Sequence, residues 1–486
     1  MRPLPYPPGP QGWPLVGNLL DMPRTRIWDA FSRFREQYGD IMYMNVLGQP
    51  IVVISSVQIA QDLLDKRGAI YSDRPQMRMA GDLCGFIDTL PIMPYGPRFR
   101  YVRQLMHKFM GPRTNVEKHA RVEEQEAARL LLRILRDPRP ESLQEHVRKA
   151  AGGIILKLAY GYPTQEDDDP FVKQADKVVA QFSQVVVPGA FLVDIISPLR
   201  YVPDWLPGAG FKRFAKSCKR EMHELVDMPM EWVRRQQEKV FDNESFVAMH
   251  EHNLMSTEDQ DVLKFAAGTL YGGAFPSCTV SSLYSLFLAL ALNPDVQKKA
   301  QTEVDRVVGT ERLPALSDRK DLPYIEALVK ELLRWNTVAP TGLPHRLTED
   351  DTYNGYFLPK GSVVIANIHC MLHDESIHRD AARFRPERFL PEEGEMAEQD
   401  PLNICFGFGR RICPGKTVSE NSIFLVCAMV AAVLDVSKAI KDGVVVEPVF
   451  EHVGGSILHP KEFCCAIKPR SANAAKLVFS SVELNS

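Results

Sequence analysis

The sequence predicts a mainly α-helical protein with a minor β part, folded as a single domain. Long stretches have helical periodicity: in residues 116–137, VEKHARVEEQEAARLLLRILRD, apolar side chains return every three or four positions. Strand-like segments are few and short. By length alone, 486 residues would suggest two or three domains. However, no repeat, low-complexity tract or flexible linker divides the chain, so we expect one compact unit.

The first half of the chain is expected to begin with an extended segment, a helix and a hairpin. These are YPPGPQGWPLVGN (6–18), IWDAFSRFREQYG (27–39) and IMYMNVLGQPIVVISS (41–56), the last with a Gly-Gln-Pro turn. Residues 57–255 should be mostly helical, with broken apolar segments near 185–208.

The second half is expected to be helical from 259 to 335 and then to contain short strands. The strand signals are TYNGYFLPKGSVVIAN (352–367) and VVVEPVFEHVGGSILHP (444–460). Residues 270–292, LYGGAFPSCTVSSLYSLFLALAL, are long enough to span a membrane. Pro276, two adjacent glycines and several hydroxyls favour a buried central helix instead, so no transmembrane segment is expected.

Composition restricts the class of function. A net charge of −3 argues against nucleic acid as the main partner. The nine cysteines contain no CxxC pair, and a chain this long can fold without disulfides, so reduced thiols in a cytosol-facing protein are expected. The proline-rich residues after Met1 lack the apolar core of a signal peptide.

The stretch FGFGRRICPGK, residues 406–416, surrounds Cys413 with glycines and arginines. Glycine permits close approach of the backbone to a ligand. A predicted helix follows, and its positive end should lower the pKa of the thiol and favour a thiolate. Because no second cysteine or histidine stands at zinc-site spacing, a metal that brings four equatorial nitrogens, as in haem, would fit a single ligand. The alternative is a basic loop with a buried, inert cysteine.

Two further segments carry charged residues at characteristic positions. In YIEALVKELLRW, Glu331 and Arg334 lie at i, i+3 on one helical face, close enough to pair. The alternative is a surface ion pair of small energetic value. In RFRPERF, Glu387 and Arg388 follow Pro386, so this segment is not expected to be helical through the proline.

Together these residues resemble the cytochrome P450 family, almost from end to end of the chain. The family's haem signature, Phe-x-x-Gly-x-Arg-x-Cys-x-Gly, is met by Phe406, Gly409, Arg411, Cys413 and Gly415. Its Glu-x-x-Arg helix is matched by Glu331 and Arg334, and its Pro-Glu-Arg-Phe segment supplies Arg388, which would complete a structural triad. Segments such as GYFLPKGSVVIAN look closest to fungal secondary-metabolite enzymes.

The resemblance implies a haem-thiolate enzyme whose axial ligand is Cys413. Arg103 matches the propionate-binding arginine of a Trp-x-x-x-Arg helix, with Phe99 in place of the tryptophan, while His345 and Arg411 would be further propionate partners. Residues 1–18 resemble the proline hinge that follows the family's membrane anchor, and residues 19–486 would be the catalytic domain. The anchor itself is not in this sequence, which suggests a truncation, a misplaced start codon or a peripheral protein.

The sequence departs from the family in the central helix. The family usually places an acid and a threonine there for proton delivery, whereas this chain reads GGAFPSCTVSSL. Ser277 takes the acid position and Cys278 the alcohol position, or Pro276 and Ser277 when counted from the other end, which suggests an insertion or bulge. Ser277 or Thr279 with ordered water could relay protons.

The same departure leaves other outcomes open. They are poorly coupled oxygen activation, an isomerase or dehydratase that needs no O2, a haem-binding protein without turnover, and a gene-model error near AFPSC.

The resemblance also implies partners. These are O2, a hydrophobic small-molecule substrate and an NADPH-cytochrome P450 reductase, with the chain at the cytosolic face of the endoplasmic reticulum and in possible peripheral membrane contact near 185–208. The reductase would dock on a basic face formed by Arg98, Arg100, Arg103, His107, Lys108, Arg410 and Lys416. The alternative is a solvated helix face.

By position, the substrate pocket would draw on five segments. They are Met77–Met93, Phe182–Leu192, the central helix, Val338–Leu343 and Ser456–Leu458.

Overall fold

The computed structural model describes residues 4–23, 25–111, 113–187, 189–236, 244–251, 256–274, 278–390 and 396–483. Within those ranges the α-helices are α1 (Ile27–Tyr38), α2 (Val57–Ala60), α3 (Gly68–Tyr71), α4 (Pro97–Met110), α5 (Arg113–Arg136), α6 (Pro140–Tyr160), α7 (Pro170–Val185), α8 (Leu192–Ile195), α9 (Gly210–Gln236), α10 (Phe246–Glu251), α11 (Thr257–Ala274), α12 (Cys278–Leu292), α13 (Pro294–Val307), α14 (Pro323–Trp335), α15 (Ile368–Leu372), α16 (Lys416–Val433) and α17 (Ala472–Glu483). The mainly helical class predicted from the sequence is confirmed.

The β part consists of small sheets. Its strands are β1 (Ile41–Val46), β2 (Gln49–Ile54), β3 (His345–Arg346), β4 (Asp351–Tyr353), β5 (Tyr356–Leu358), β6 (Val363–Ala366), β7 (Leu434–Lys441), β8 (Val444–Val446), β9 (His452–Gly454), β10 (Leu458–Pro460) and β11 (Cys465–Pro469). They form the sheets β1-β2-β6-β3, β4-β5, β9-β10 and β11-β7-β8.

The first hairpin turn begins one residue earlier than predicted and is one residue shorter. Val46 pairs with Gln49, so Gln49 and Pro50 already belong to β2. The turn is Leu47-Gly48, with φ of 50° and 87°. Positive φ at both central residues matches the right-handed twist of hairpin strands, which a Gly-Gln-Pro turn would not supply. The lead-in packs against this hairpin, where Tyr43 N–H donates to Pro8 O at 2.9 Å.

Where the structure describes it, the apolar run at 270–292 lies in the protein core, as predicted. Residues 270–274 belong to α11 and residues 278–292 to α12, and every residue from Thr279 to Ala291 is buried. α12 packs with α14 and α16 in the largest apolar cluster of the described residues. The proposed bulge at Pro276, and Ser277 with it, lie outside the described residues.

One described helix, α16, is long and apolar enough to cross a membrane, although 72% of it is buried inside the fold. Its neighbours are α5, α13 and α14, so it packs as a core helix of a globular domain. Because α16 begins directly after the Cys413 loop, its burial fixes the position of that loop relative to α12 and α14.

Glu331, Arg334 and Arg388 meet in the interior with no solvent exposure of their side chains. Arg334 donates to both carboxylate oxygens of Glu331, at 2.7 and 2.9 Å, and Arg388 Nε lies 3.0 Å from the same carboxylate. The pair is therefore not a surface ion pair. It ties α14 to the turn at Pro386–Phe389, upstream of the Cys413 loop.

Glu123, a residue of α5, has a buried carboxyl group that contacts α16. Its Oε1 accepts from Ser422 Oγ at 3.0 Å, while Oε2 has no partner among the described residues. Burial is the main cause that raises the pKa of Glu123 to about 8, against hydrogen bonds from Ser422 and Asn421. Glu123 is therefore neutral in the folded protein over much of the neutral pH range.

Replacement of Glu331 by Gln should strongly destabilise the fold. It leaves two buried guanidinium groups without their shared anion, a loss that costs about 3–5 kcal/mol in comparable sites. Lys461→Met, which removes an ion pair with Glu451 that is about half exposed, is the control and should cost at most about 1 kcal/mol. Urea unfolding of the two variants measures both free energies. Equal, small losses would show that the buried triad does not support the fold.

Glu123 should make stability fall as the pH rises from about 4.5 to about 8. In that window the unfolded carboxyl has lost its proton while the folded one keeps it, so folding takes up a proton. Glu123→Gln should flatten this slope and raise the unfolding midpoint at pH 8 relative to the wild type. Glu311→Gln, at an exposed position, should leave the slope unchanged. Thermal unfolding at several pH values measures the slopes, and identical slopes in all three proteins would exclude this role.

Candidate active site

The Cys413 loop approaches the rest of the protein closely. Cys413 N–H donates to Phe406 O at 2.9 Å, and a single 3₁₀ turn, Gly409–Arg411, lies between them. Gly409 has φ of 55°, and a Cβ there would lie 2.2 Å from Leu64 O. Only glycine satisfies both the left-handed backbone and this contact. Gly415 precedes α16, where a Cβ would lie 3.9 Å from Cys413 Sγ.

The Cys413 side chain is accessible, and it borders a cavity in the protein. Burial among surrounding atoms nevertheless raises the pKa of its thiol above the usual value. The Gly415 N–H, Arg103 and Lys416 act in the opposite direction without reversing the shift. The prediction of a lowered thiol pKa is wrong for the protein alone, because desolvation outweighs the helix end.

Three arginines and a histidine border the same cavity: Arg74, Arg103, Arg411 and His345. Each is fixed by backbone carbonyls. Arg103 donates to Ile412 O at 2.7 Å, and Arg411 donates to Ser72 O at 2.7 Å and to Met93 O at 2.8 Å. His345 Nδ1 lies 2.7 Å from Tyr71 O and so donates to it, which leaves Nε2 as the unprotonated nitrogen of a neutral ring.

Among the described residues, none of the three arginines forms a salt bridge with a carboxylate. Asp73, which acts electrostatically on Arg74 and Arg411, is itself paired with Arg346. Burial lowers the pKa of Arg74 and of Arg103, and lowers that of Arg411 to about 10. Burial, with Arg74 second, lowers the pKa of His345 to about 3.

This arrangement fits an anionic ligand. Buried guanidinium groups that lack an anion are costly, and carboxylates are their best partners. Haem carries two carboxylate side chains and needs one thiolate from the protein, so the residues present suit it. The Arg411 guanidinium also lies 3.9 Å above the ring of Phe99, the residue that replaces the family's tryptophan.

The cavity is large and mainly apolar. Its volume is about 310 Å³, against roughly 10–15 Å³ that one water molecule occupies by the same measure. Each of the five segments predicted for the pocket contributes to the cavity wall. One lining residue from each, in the order of the chain, is Leu90, Phe182, Leu270, Val338 and Ile457. Of the predicted loop residues, Phe406 and Gly415 line the cavity. Gly409 is not part of the lining and packs against Leu64 O.

The central-helix residues lie at this cavity as well. Cys278 and Thr279 line it, and Thr279 Oγ1 lies 3.3 Å from Ser419 Oγ on α16. Ser282 also lines it, and its buried hydroxyl has no partner among the described residues. Ser277 is outside the described residues, so its position relative to Thr279 stays a prediction.

Sequence reasoning missed several residues of the site. Arg74, in SDRP, carries no spacing that distinguishes it from a surface arginine. Ser419 and Ser422 occur in the helix after Cys413, where their i, i+3 spacing could have indicated a shared face toward the cavity. Part of the wall comes from α4 and α6, whose apolar residues resemble ordinary core: Met106, Met110, Ala151, Ile154 and Ile155.

The cytochrome P450 family model matches residues 7–463. Cytochrome P450 monooxygenase 208 of Postia placenta is 45% identical over 98% of this chain and 92% of its own length. Monooxygenase claR of Ampulloclitocybe clavipes is 41% identical (97% of this chain, 88% of its own), and ppsD of Aspergillus oryzae is 39% identical (97% and 90%). The chain therefore belongs to the cytochrome P450 family.

Proposed function

We propose that the protein is a haem-thiolate monooxygenase that oxidises a hydrophobic small molecule in fungal secondary metabolism, with O2 and electrons from an NADPH-dependent reductase. The observation that carries this proposal is one cavity bordered by Cys413, by an apolar wall and by three arginines that pair with no carboxylate within the described ranges. The relatives named above are fungal monooxygenases of nearly the same length, which supports the same reaction class.

In this proposal Cys413 holds the haem iron, while Arg74, Arg103 and Arg411 hold its carboxylates. His345 would join them when a bound carboxylate favours protonation of Nε2, since Nδ1 already donates to Tyr71 O. Bound haem supplies oxygen activation, to which a thiolate ligand contributes electron density. The protein binds the cofactor, orients the substrate against it and excludes bulk water. Phe406, Gly409 and Gly415 shape the loop so that Cys413 can reach the iron.

Proton delivery would rest on hydroxyl groups. Thr279 can accept a proton from Ser419 and pass one into the cavity, since each hydroxyl both donates and accepts. Cys278 stands where the family has an alcohol, and a thiol is a weaker hydrogen-bond donor. This weakness is the specific feature that favours the second candidate, an isomerase or dehydratase that uses haem without O2.

The reductase would dock on the exposed part of the predicted basic face. Arg98, Arg100, His107, Lys108 and Arg410 are exposed, whereas Arg103 lines the cavity and Lys416 is half-buried. The face is not wholly free, because Arg98 pairs with Asp88 at 2.9 Å. Clustered exposed cations favour an acidic partner and a salt-sensitive association rate.

Membrane contact would occur through the region between α7 and α9. Large apolar side chains are exposed there, with Trp205 at 79% and Tyr201 at 72%. Exposed apolar side chains of this kind suit contact with a lipid surface. The cytosolic face of the endoplasmic reticulum is the corresponding proposed location.

Activity should require O2, NADPH and a reductase together. Purified protein with a fungal reductase is incubated with a panel of apolar terpenoids, polyketides and aromatics under isotope-labelled O2. We expect a product that carries one labelled oxygen atom. Conversion that persists without NADPH or O2 would instead support the isomerase or dehydratase, and intact thiolate-ligated haem that converts no panel member would count against turnover.

Thr279→Val should lower the yield of product per NADPH consumed, by about tenfold or more, as is usual for loss of a proton-transfer group. Thr302→Val, on the exposed face of α13, is the matched control and should leave the ratio unchanged. NADPH consumption is measured spectrophotometrically and product by mass spectrometry. An unchanged ratio in Thr279→Val would remove Thr279 from the proton route.

A further inference from the structure

A carboxyl group lies directly behind the wall of the cavity. Ser422 of α16 lines the cavity, and its Oγ lies 3.0 Å from Oε1 of Glu123 on α5. The Glu123 side chain is wholly buried, and its second oxygen, Oε2, has no partner among the described residues. The Glu123 carboxyl group is therefore separated from the cavity by a single hydroxyl group.

The cavity lining contains no acid of its own in the described ranges. It includes arginines, one histidine, hydroxyls and thiols, but neither aspartate nor glutamate. Two of the hydroxyls belong to Ser419 and Ser422, one helical turn apart on α16, and Ser419 Oγ lies 3.3 Å from Thr279 Oγ1. Hydroxyls pass protons on but hold none in reserve, because they do not titrate near neutral pH. A reaction that consumes protons in this cavity therefore needs a donor from behind the wall or from solvent.

We propose that Glu123 stores a proton for the cavity and delivers it through Ser422. This inference rests on the proposed function, whose reaction consumes protons. A protonated carboxyl carries one O–H donor, and a serine hydroxyl both donates and accepts, so the 3.0 Å contact conducts a proton once the hydroxyl has turned. Glu123 acts through Ser422 and so supplies the proton without touching the reacting atoms.

The transfer moves protons and no electrons. Ser422 gives its hydroxyl proton to an oxygen atom of water or substrate in the cavity and takes up the proton of Glu123 as its own O–H bond breaks. One proton enters the cavity, Ser422 is unchanged, and Glu123 is left as a carboxylate. The carboxylate then regains a proton from solvent water before the next cycle.

The surroundings of Glu123 keep this proton available at neutral pH. Burial raises the pKa of Glu123 to about 8, and Glu124 of the same helix acts in the same direction. The neutral Ser422 and Asn421 of α16 lower the pKa without reversing the shift, as does Arg319 in the 3₁₀ turn before α14. A donor works best when its pKa lies near the working pH, because it then holds a proton and still releases it. Glu123 meets this condition.

The stored proton is observable without turnover. The infrared carbonyl stretch of neutral carboxyl groups is recorded for purified holoprotein, wild type and Glu123→Gln, over a pH series that spans neutrality. The difference between the two proteins should contain a band at neutral pH that is lost with a midpoint of about 8. The band should be displaced in Ser422→Ala, which removes the hydrogen bond to the carboxyl. Absence of the band at neutral pH, or a band that Ser422→Ala does not displace, overturns the proposal whether or not the protein turns over.

Delivery is measured as the yield of product per NADPH consumed, an arm that depends on the proposed function. In the wild type this yield should fall as the pH rises through about 8, since Glu123 then loses its proton. Glu123→Gln and Ser422→Ala should each lower the yield at neutral pH by roughly threefold or more and abolish the decline. Glu311→Gln, at an exposed position, should behave as the wild type.

Yields in Glu123→Gln and Ser422→Ala that equal the wild type at every pH overturn the delivery route. Unfolding does not explain a lower yield in Glu123→Gln, because this variant is expected to be the more stable protein at pH 8. A wild type that shows the infrared band but forms no product contradicts the proposed function and the delivery with it, while the stored proton stands.

Discussion

The cavity depends on buried positive charge that has no carboxylate partner in the part of the chain that the structure describes. Arg74, Arg103 and Arg411 are held by backbone carbonyls, which fix their direction but supply no negative charge. Burial and mutual repulsion both act against them. Such a cluster is costly unless a ligand brings the missing anions, and the two carboxylates of a haem would supply them.

In the buried triad of Glu331, Arg334 and Arg388, the protein itself neutralises the buried positive charge. There Glu331 faces both Arg334 and Arg388, and Glu398 gives Arg388 a second carboxylate at 2.8 Å, so charge is balanced within the protein. The contrast separates two kinds of buried charge. The charge-balanced triad stabilises the packing of α14 against the chain upstream of the Cys413 loop. The cavity arginines, which lack such a counter-charge among the described residues, mark the ligand-binding site.

Sequence alone locates the features whose signal is local. Helical spacing places Glu331 beside Arg334, and glycine spacing around Cys413 indicates a tight loop. It does not find Arg74 or Glu123, because each depends on which distant segments pack together. It also misjudges the Cys413 thiol, where the helix end is visible in the sequence but the desolvation that outweighs it is not.

We propose that Cys413 provides the thiolate that binds the haem iron. The most direct measurement is the absorption spectrum of the reduced, carbon-monoxide-bound protein for the wild type, Cys413→Ser and Cys405→Ser, the last at a nearby position that lines the same cavity. We expect the long-wavelength band of a thiolate-ligated haem in the wild type and Cys405→Ser, and its loss in Cys413→Ser. The same band in all three proteins would contradict it.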